Sequence, residues 1–278
     1  MMTIASVLVS DSTPDLGRYA VTLAHGAGEL IRGRSGLGTV SSKSTSTDLV
    51  TEVDRATERW LLERIAADRP DDAVLGEEGA DRSGHSGVRW VVDPIDGTVN
   101  FVLGLPSYAV SIAAEREGVA VAGAVRDVVS GAVYRATLGG GAWLDDAHGS
   151  HRLAGPRSVP LARAVVGTGF NYDRAVRARQ ADVAAQLLPV VADIRRIGSA
   201  ALDLCAVAAG HLDAYYEAGL NRWDAAAGAL IAAEAGCLVS GLRGREWGRH
   251  FTATAGPGLA EEFFALLERL GADAVREG

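Results

Sequence analysis

The segment Trp90–Phe101, which reads WVVDPIDGTVNF, constrains the fold of this chain more than any other stretch. Together with Arg89, its first residues are aromatic and β-branched, which is the pattern of a short buried strand. Proline has no N–H for a strand ladder and fixes φ, so we expect this strand to end at Asp93-Pro94.

The residues after this strand carry the chemistry. Asp93 and Asp96 flank a Pro-Ile pair, so a tight turn can bring both carboxylates to one point. Gly97 and Thr98 follow, and a glycine there lets the backbone approach a ligand and present its amides. A strand followed by an acidic turn and then by open backbone amides suits the binding of a divalent metal together with a phosphate. The alternative is an ordinary strand-to-turn corner, because Asp, Pro and Gly are all turn formers.

Composition narrows the classes of partner. The chain has 278 residues, of which 48% are hydrophobic and 22% charged, as in ordinary globular proteins. Its 27 basic and 35 acidic side chains leave a formal charge of −8, which argues against nucleic acid or an anionic membrane as the main partner. A phosphorylated ligand stays compatible with this charge if metal ions supply the positive charge.

The cysteines and the hydropathy pattern bear on location. Cys205 and Cys237 lie far apart without a Cys-x-x-Cys motif, which favours free, buried thiols in a reducing cytosol. No basic segment followed by an apolar one opens the chain, and no uncharged run approaches membrane-spanning length. We therefore expect a cytoplasmic protein with no membrane segment.

The first half of the sequence predicts two helices, which are followed by an antiparallel meander of strands. We expect a loose tail to Ser12, followed by a helix from Pro14 to Arg32. A second helix begins at a variant capping box formed by Thr51 and Asp54 and runs to about Arg69. A short strand follows at 73–79, and then a mobile surface loop at 81–87. Strand-like runs at 108–114, 119–125, 132–137 and 142–144, separated by glycine turns, predict an antiparallel meander.

The second half alternates strands with helices. The proline-containing segment 153–160 is a plausible linker, so we divide the chain into an N-terminal α+β unit, 1–155, and a C-terminal α/β unit, 156–278. We predict strands at 164–169, 193–197 and 212–217, and helices at 174–188, 198–210 and 223–236. This alternation implies an α/β layered core.

Further acidic motifs lie before and after the segment Trp90–Phe101. The run 43–54, KSTSTDLVTEVD, leads into the second helix, and Gly76-Glu77-Glu78 ends a strand. Trp223-Asp224 opens the helix at 223–236. Each has an ordinary alternative: a capped polar loop, a surface pair of charges, and an aspartate that caps a helix.

In combination these motifs resemble those of the inositol monophosphatase family, which are magnesium-dependent, lithium-sensitive phosphomonoesterases. Asp-Pro-Ile-Asp-Gly-Thr resembles the family signature, and the three other motifs follow in the family's order between Lys43 and Gly236. Four motifs together are far more specific than any one. Two positions depart from the pattern: Cys237 stands where the family usually has glycine, and Arg222 stands at a variable position near the pocket mouth.

The resemblance implies the metal ligands. Glu77, Asp93 and the Ile95 carbonyl would hold a first Mg²⁺, and Asp93, Asp96 and Asp224 a second, within a site of two or three ions. An all-oxygen ligand set is the kind that Mg²⁺ prefers.

The resemblance also implies the catalytic and substrate-binding residues. Asp54 and Thr98 would activate the attacking water, with Asp48 and Thr51 only as supports. The substrate-binding residues would be Gly97, Thr98, Asp96, Gly198, Ser199, Ala200, Glu217 and Asp224. Alternatively, Glu217 is only a surface charge at the end of a strand. The six histidines are scattered, so no Ser-His-Asp or cysteine nucleophile set competes.

For the whole chain, the resemblance implies an αβαβα sandwich, a homodimer, and Mg²⁺-dependent hydrolysis of myo-inositol 1-phosphate. Two alternatives stay open. One is a sister phosphatase acting on fructose 1,6-bisphosphate, histidinol phosphate or 3′-phosphoadenosine 5′-phosphate. The other is a non-catalytic, transcription-associated member of the fold.

Overall fold

The computed structural model describes residues 12–34, 38–43 and 49–274. Asp48 and most of the predicted N-terminal tail lie outside these residues. The helices are α1 (Thr13–Arg32), α2 (Glu52–Asp68), α3 (Thr98–Leu103), α4 (Arg174–Leu187), α5 (Ala200–Ala208), α6 (Arg222–Glu234) and α7 (Pro257–Arg269), with 3₁₀ turns at Leu161–Arg163 and Ala272–Ala274. The strands are β1 (Val40–Ser42), β2 (Leu49–Thr51), β3 (Ala73–Gly76), β4 (Asp81–Arg82), β5 (Val88–Asp96), β6 (Ala109–Arg116), β7 (Val119–Asp127), β8 (Val133–Thr137), β9 (Gly141–Asp146), β10 (Gly149–Arg152), β11 (Val165–Thr168), β12 (Asp193–Arg195), β13 (Ala214–Glu217), β14 (Leu238–Ser240) and β15 (Thr252–Ala255).

The first two helices begin and end where the sequence predicts. A proline lies in the first turn of α1, where its missing N–H costs nothing. At the start of α2, the Thr51 side chain accepts from the amides of Val53 and Asp54, and Asp54 accepts from the Thr51 amide at 2.9 Å. The capping box is therefore confirmed.

Eight strands form the first sheet, in the order β10-β9-β8-β7-β6-β5-β3-β4. Strands β6 to β9 pair antiparallel in sequence order, which confirms the meander, while β3 and β5 pair parallel. Two expectations for this region are wrong. Strand β5 does not end at Asp93-Pro94 but continues to Asp96 through a register shift, where proline's missing N–H breaks no ladder bond. Part of the predicted loop, Asp81–Arg82, pairs with β3 as a strand.

The second sheet has five strands in the order β12-β11-β13-β15-β14. The pairs β11–β12 and β11–β13 are parallel, and those with β15 are antiparallel. The predicted strands and helices of the second half are present, with bounds that differ from the predicted ones by no more than two residues. Strands β10, β14 and β15, the hairpin β1–β2 and helix α7 were not predicted.

The two sheets and the helices stack in five layers. Helices α1 and α2 pack on one face of the eight-stranded sheet through the cluster that contains Leu23, Leu61 and Trp90. Helices α5 and α6 lie between the two sheets. Helices α4 and α7 cover the outer face of the five-stranded sheet through the cluster that contains Phe263. The predicted αβαβα sandwich is therefore confirmed.

The chain from 153 to 160, between the two sheets in sequence, contains no helix or strand. The division at 155 stays a prediction. Among the described residues, none of the helices combines the length and the apolar composition needed to cross a membrane.

Candidate active site

One cavity of about 570 Å³ collects most of the residues named from the sequence. It lies where β3, β5 and β13 end and where α3, α5 and α6 begin. Its lining includes Glu77, Asp93, Ile95, Asp96, Gly97, Thr98, Gly198, Ser199, Ala200, Glu217 and Asp224. Among the predicted site residues, Asp54 alone is not part of this lining, because its side chain is fully buried behind Thr98.

Three aspartates converge in this cavity. Asp93 and Asp96 lie at the end of β5 and Asp224 in the first turn of α6, and one carboxylate oxygen of each lies within 4.8 Å of the others. Asp224 also accepts the Asn221 amide at 2.6 Å, so it caps its helix as well. Capping and ligation are compatible, because the cap uses only one of the two carboxylate oxygens.

The electrostatics of the three aspartates suit a cation. Burial, and then the neighbouring carboxylates of Glu77 and Asp96, raise the pKa values of Asp93 and Asp224 well above the ordinary range. Burial also raises the pKa of Asp96 to about 6. Oδ1 of Asp93 is buried and accepts no hydrogen bond from the described residues. An all-oxygen group, in which Asp93 is buried and Asp96 and Asp224 are partly exposed, fits a hard divalent cation, which would offset the mutual repulsion.

Glu77 joins this group from the end of β3. Besides burial, the Glu77 carboxylate helps to raise the pKa of Asp93, and both side chains line the same cavity. The Lys43 ammonium lies 2.7 Å from Oε1 of Glu77 and 2.6 Å from Oε1 of Glu78. Lys43, which the sequence analysis placed only within a motif, therefore holds a positive charge at the edge of the acidic group.

Asp54 and Thr98 form a buried pair beside the aspartates. The Thr98 hydroxyl lies 3.1 Å from Oδ1 of Asp54 and 3.0 Å from the Ile95 carbonyl oxygen. The other Asp54 oxygen accepts from the Thr51 amide and hydroxyl. Burial raises the pKa of Asp54. The predicted contact between Asp54 and Thr98 is thus present in the structure.

Gly97 makes the turn from β5 into α3. Its φ of +94° lies in the left-handed region that favours glycine. A Cβ at this position would lie 3.0 Å from the Ser107 carbonyl oxygen and 3.1 Å from that of Gly198. The backbone at Gly198 can therefore approach this turn closely only because residue 97 is a glycine.

The segment Gly198–Ala200 does more than line the cavity. Ser199 caps α5 and its hydroxyl donates to Oδ2 of Asp96 at 2.5 Å, while the Ala201 amide donates to the same oxygen at 2.7 Å. The start of α5 therefore fixes the Asp96 carboxylate. Sequence reasoning assigned Ser199 to the substrate and missed this contact.

A second acidic group lies on the wall formed by β13 and α5. The Tyr215 hydroxyl donates to Glu217 at 2.5 Å, and burial raises the pKa of Glu217 to about 7. Burial, then Glu217 and Asp96, raise the pKa of Asp203 to about 9. Sequence reasoning missed Asp203 and Arg196, which also lines the cavity. For Asp203 a signal existed, because it lies one helical turn after the cap residue Ser199.

Arg222 does not line the cavity, although its neighbours Asn221 and Trp223 do. Its guanidinium pairs with the buried carboxylate of Glu115, donates to the Gly118 carbonyl oxygen at 2.7 Å and lies 4.5 Å from the centre of the Trp247 ring. At the first position of α6, its side chain points to strand β6 rather than to the cavity.

Comparison with known proteins agrees with this geometry. The model of the inositol monophosphatase family matches residues 15–276. An inositol-1-monophosphatase of Mycobacterium leprae is 53% identical over 244 residues, 85% of this chain and 84% of that protein. The Nus factor SuhB of Pasteurella multocida is 43% identical over 204 residues, which are 73% of this chain and 74% of that protein. The structure of Mycobacterium tuberculosis SuhB superposes with a TM-score of 0.81 at 48% identity, covering 94% of this chain and 98% of that one. This chain therefore belongs to the inositol monophosphatase family, and it is a phosphatase.

Proposed function

We propose that this protein hydrolyses myo-inositol 1-phosphate to myo-inositol and phosphate in a magnesium-dependent reaction. The observation that carries the proposal is the convergence of Asp93, Asp96 and Asp224 beside the Asp54–Thr98 pair in one cavity. The names of the relatives at about half identity support the choice of substrate.

The acidic group would hold the magnesium ions. Glu77, Asp93 and the Ile95 carbonyl form one ligand set, and Asp93, Asp96 and Asp224 form the other, with Asp93 shared. When bound, Mg²⁺ supplies positive charge that offsets the phosphate dianion and stabilises charge on the attacking and leaving oxygens. We propose two or three ions, and inhibition by Li⁺ as in the family that the sequence resembles.

The chain's own residues would position the water and move its proton. Oδ1 of Asp54 accepts from the Thr98 hydroxyl, so that hydroxyl can take a proton from a water aligned with the phosphorus while it passes its own proton to the Asp54 carboxylate. Because a water is the nucleophile, no covalent enzyme intermediate forms. The amides of Gly97 and Thr98, at the start of α3, would bind phosphate oxygens.

The wall containing Glu217 would bind the alcohol part of the substrate. Its carboxylate can accept hydrogen bonds from hydroxyl groups, and its partner Tyr215 fixes its orientation. Gly198, Ser199 and Ala200 would line the same part of the cavity.

A second candidate function comes from the names of several relatives. The Pasteurella protein is called a Nus factor, so a role in a transcription complex is the alternative for this fold. The formal charge of −8 and the three converging aspartates favour catalysis on a small phosphomonoester, without nucleic acid as the main partner. The two buried, free cysteines suit the reducing cytoplasm that we propose as its location.

The deciding experiment is an assay of phosphate release from a panel of substrates. Inositol 1-phosphate, fructose 1,6-bisphosphate, histidinol phosphate and 3′-phosphoadenosine 5′-phosphate would be compared in Mg²⁺ and in EDTA. We expect the highest kcat/KM for inositol 1-phosphate and no activity in EDTA. Full activity in EDTA would contradict the metal mechanism, and a higher kcat/KM for another substrate would reassign the specificity.

A further inference from the structure

The buried carboxylate of Glu115 holds two arginines from different parts of the chain. Its side chain is 1% exposed. Oε2 accepts from Arg89 Nε at 3.0 Å and from Arg89 Nη2 at 2.5 Å. Oε1 accepts from Arg222 Nε at 2.9 Å and from a second nitrogen of the same guanidinium. Each carboxylate oxygen is therefore committed to one arginine.

The two arginines belong to the elements that carry the aspartates. Arg89 lies on β5, the strand that ends with Asp93 and Asp96, and it is the direct register partner of Glu115 on β6. Arg222 is the first residue of α6, whose first turn contains Asp224. Glu115 therefore connects strand β5 to the beginning of helix α6.

A second link runs parallel to the first. Ser111, also on β6, is the register partner of Asp93, and its hydroxyl donates to the Trp223 carbonyl oxygen at 3.0 Å. Strand β6 thus contacts the first turn of α6 at two points. One point lies opposite Asp93 and the other opposite Arg89.

We propose that Glu115 is a positioning residue for the metal site, which sets the separation between the carboxylates of Asp93 and Asp224. The inference rests on the proposed function, because it assumes that these aspartates bind Mg²⁺. A rigid ionic bridge suits this task, since the guanidinium fork and the carboxylate match in geometry and fix direction as well as distance. Arg222 is held further by the Gly118 carbonyl and by the Trp247 ring, so it has few alternative positions.

The test is the substitution Glu115→Gln, with Mg²⁺ binding measured by calorimetry on the substrate-free protein. Glutamine keeps the size of the side chain but leaves one acceptor oxygen and places an amide NH₂ against an arginine. We expect the Kd for Mg²⁺ to rise about 10- to 100-fold, the usual effect of losing a residue that orients metal ligands. The Mg²⁺ concentration for half-maximal activity should rise in parallel, while kcat at saturating Mg²⁺ recovers towards the wild-type value.

The chain offers a matched control in Asp273. This carboxylate is also buried and accepts from two arginines, Arg243 at 2.9 Å and Arg245 at 3.5 Å, but neither lies on an element that carries the metal site. Asp273→Asn should lower the melting temperature and leave the Kd for Mg²⁺ within about 2-fold of wild type, because no ligand-bearing element is released.

The outcomes separate the possibilities. If Glu115→Gln lowers the melting temperature like Asp273→Asn but binds Mg²⁺ with wild-type affinity, Glu115 is only structural and the proposal is wrong. If Glu115→Gln does not fold, Arg222→Lys takes its place, because lysine keeps the charge but loses the fork. An unchanged Kd in that variant would also overturn the proposal. A wild-type protein that bound no Mg²⁺ would instead overturn the proposed metal site itself.

Discussion

At the scale of single residues, the buried position of Asp54 separates it from the candidate metal ligands. One of its oxygens is occupied by Thr51, and the other faces the Thr98 hydroxyl. Its contacts therefore indicate a role in proton transfer, whereas Asp93, with a buried and unpartnered oxygen, is suited to bind a cation.

Asp54→Asn should lower kcat by about 10²- to 10⁴-fold, the usual contribution of a positioned general base. Asparagine keeps the size and most of the capping ability, so KM and the Kd for Mg²⁺ should change little. Steady-state kinetics over a Mg²⁺ series measures all three. Asp93→Asn is the comparison variant and should weaken Mg²⁺ binding as well as the rate. A loss of Mg²⁺ affinity in Asp54→Asn at unchanged saturating kcat would make Asp54 a ligand.

Asp203 provides a prediction on pH. Its pKa is raised from an ordinary 3.8 to about 9, so the folded state holds a proton that the unfolded state releases above pH 4. This contribution to stability is fully present below about pH 4 and is lost as the pH rises towards about 9. Asp203→Asn removes this titration. We therefore expect the wild type to lose about 4 kcal/mol of unfolding free energy relative to the variant between pH 5 and pH 8.

Urea unfolding of both proteins in EDTA checks this expectation for Asp203. Without metal, the acidic residues of the site titrate in the same way in both proteins. The contributions of all other titrating groups to the unfolding free energy therefore largely cancel when one protein is subtracted from the other. A difference in unfolding free energy that stays constant from pH 5 to pH 8 would show that Asp203 is ionised in the folded protein.

At the scale of elements, helix α2 supports the site at two points. Asp54 in its first turn reaches Thr98, and Glu58, one turn later, accepts from the amides of Glu78 at 2.8 Å and Ala80 at 3.1 Å. These amides belong to the turn that presents Glu77 at the end of β3. One face of a single helix therefore orients both the candidate base and a candidate ligand.

Glu58→Ala should leave both of these amides without their acceptor. We expect a loss of about 1–3 kcal/mol in unfolding free energy, the cost of leaving buried polar groups unpaired, and weaker Mg²⁺ binding through Glu77. Chemical denaturation and calorimetric titration measure the two effects. Glu63→Ala, an exposed glutamate on the same helix, is the control and should change neither. Wild-type Mg²⁺ affinity in Glu58→Ala would show that Glu77 does not depend on this turn.

At the scale of the whole molecule, the sheet faces are already covered within one chain. Strands β6 and β7 are buried almost throughout, because α1 packs on one face and α6 on the other. These central strands therefore offer no free face for a partner subunit. The proposed homodimer now rests on the family resemblance, and its interface must use other surfaces, among which the exposed Leu103 and Leu105 are candidates.

Light scattering at micromolar concentration tests the assembly. We expect twice the chain mass of 28.9 kDa, because the family resemblance implies a homodimer. Measurement over a range of concentrations distinguishes a stable dimer from a weak one. A mass of one chain at every concentration would contradict the dimer.

The sequence by itself determined the elements whose signals are local. Hydrophobic periodicity predicted α1, the Thr51–Asp54 box predicted the start of α2, and glycine turns predicted the meander, because backbone dihedrals and one-sided burial are encoded within a few residues. The four motifs also named the residues that line the cavity, since each motif lies at the end of a strand or the start of a helix.

Only the tertiary structure decided which atoms meet. Ser199 donates to Asp96 across 103 positions of sequence, and Arg222 turns away from the cavity to a carboxylate 107 positions distant. Pro94 lies inside β5 because the register shift there removes the need for its N–H. The proton on Asp203 depends on burial against Glu217, which no local pattern reports. These contacts are products of packing between layers, and packing depends on the whole chain at once.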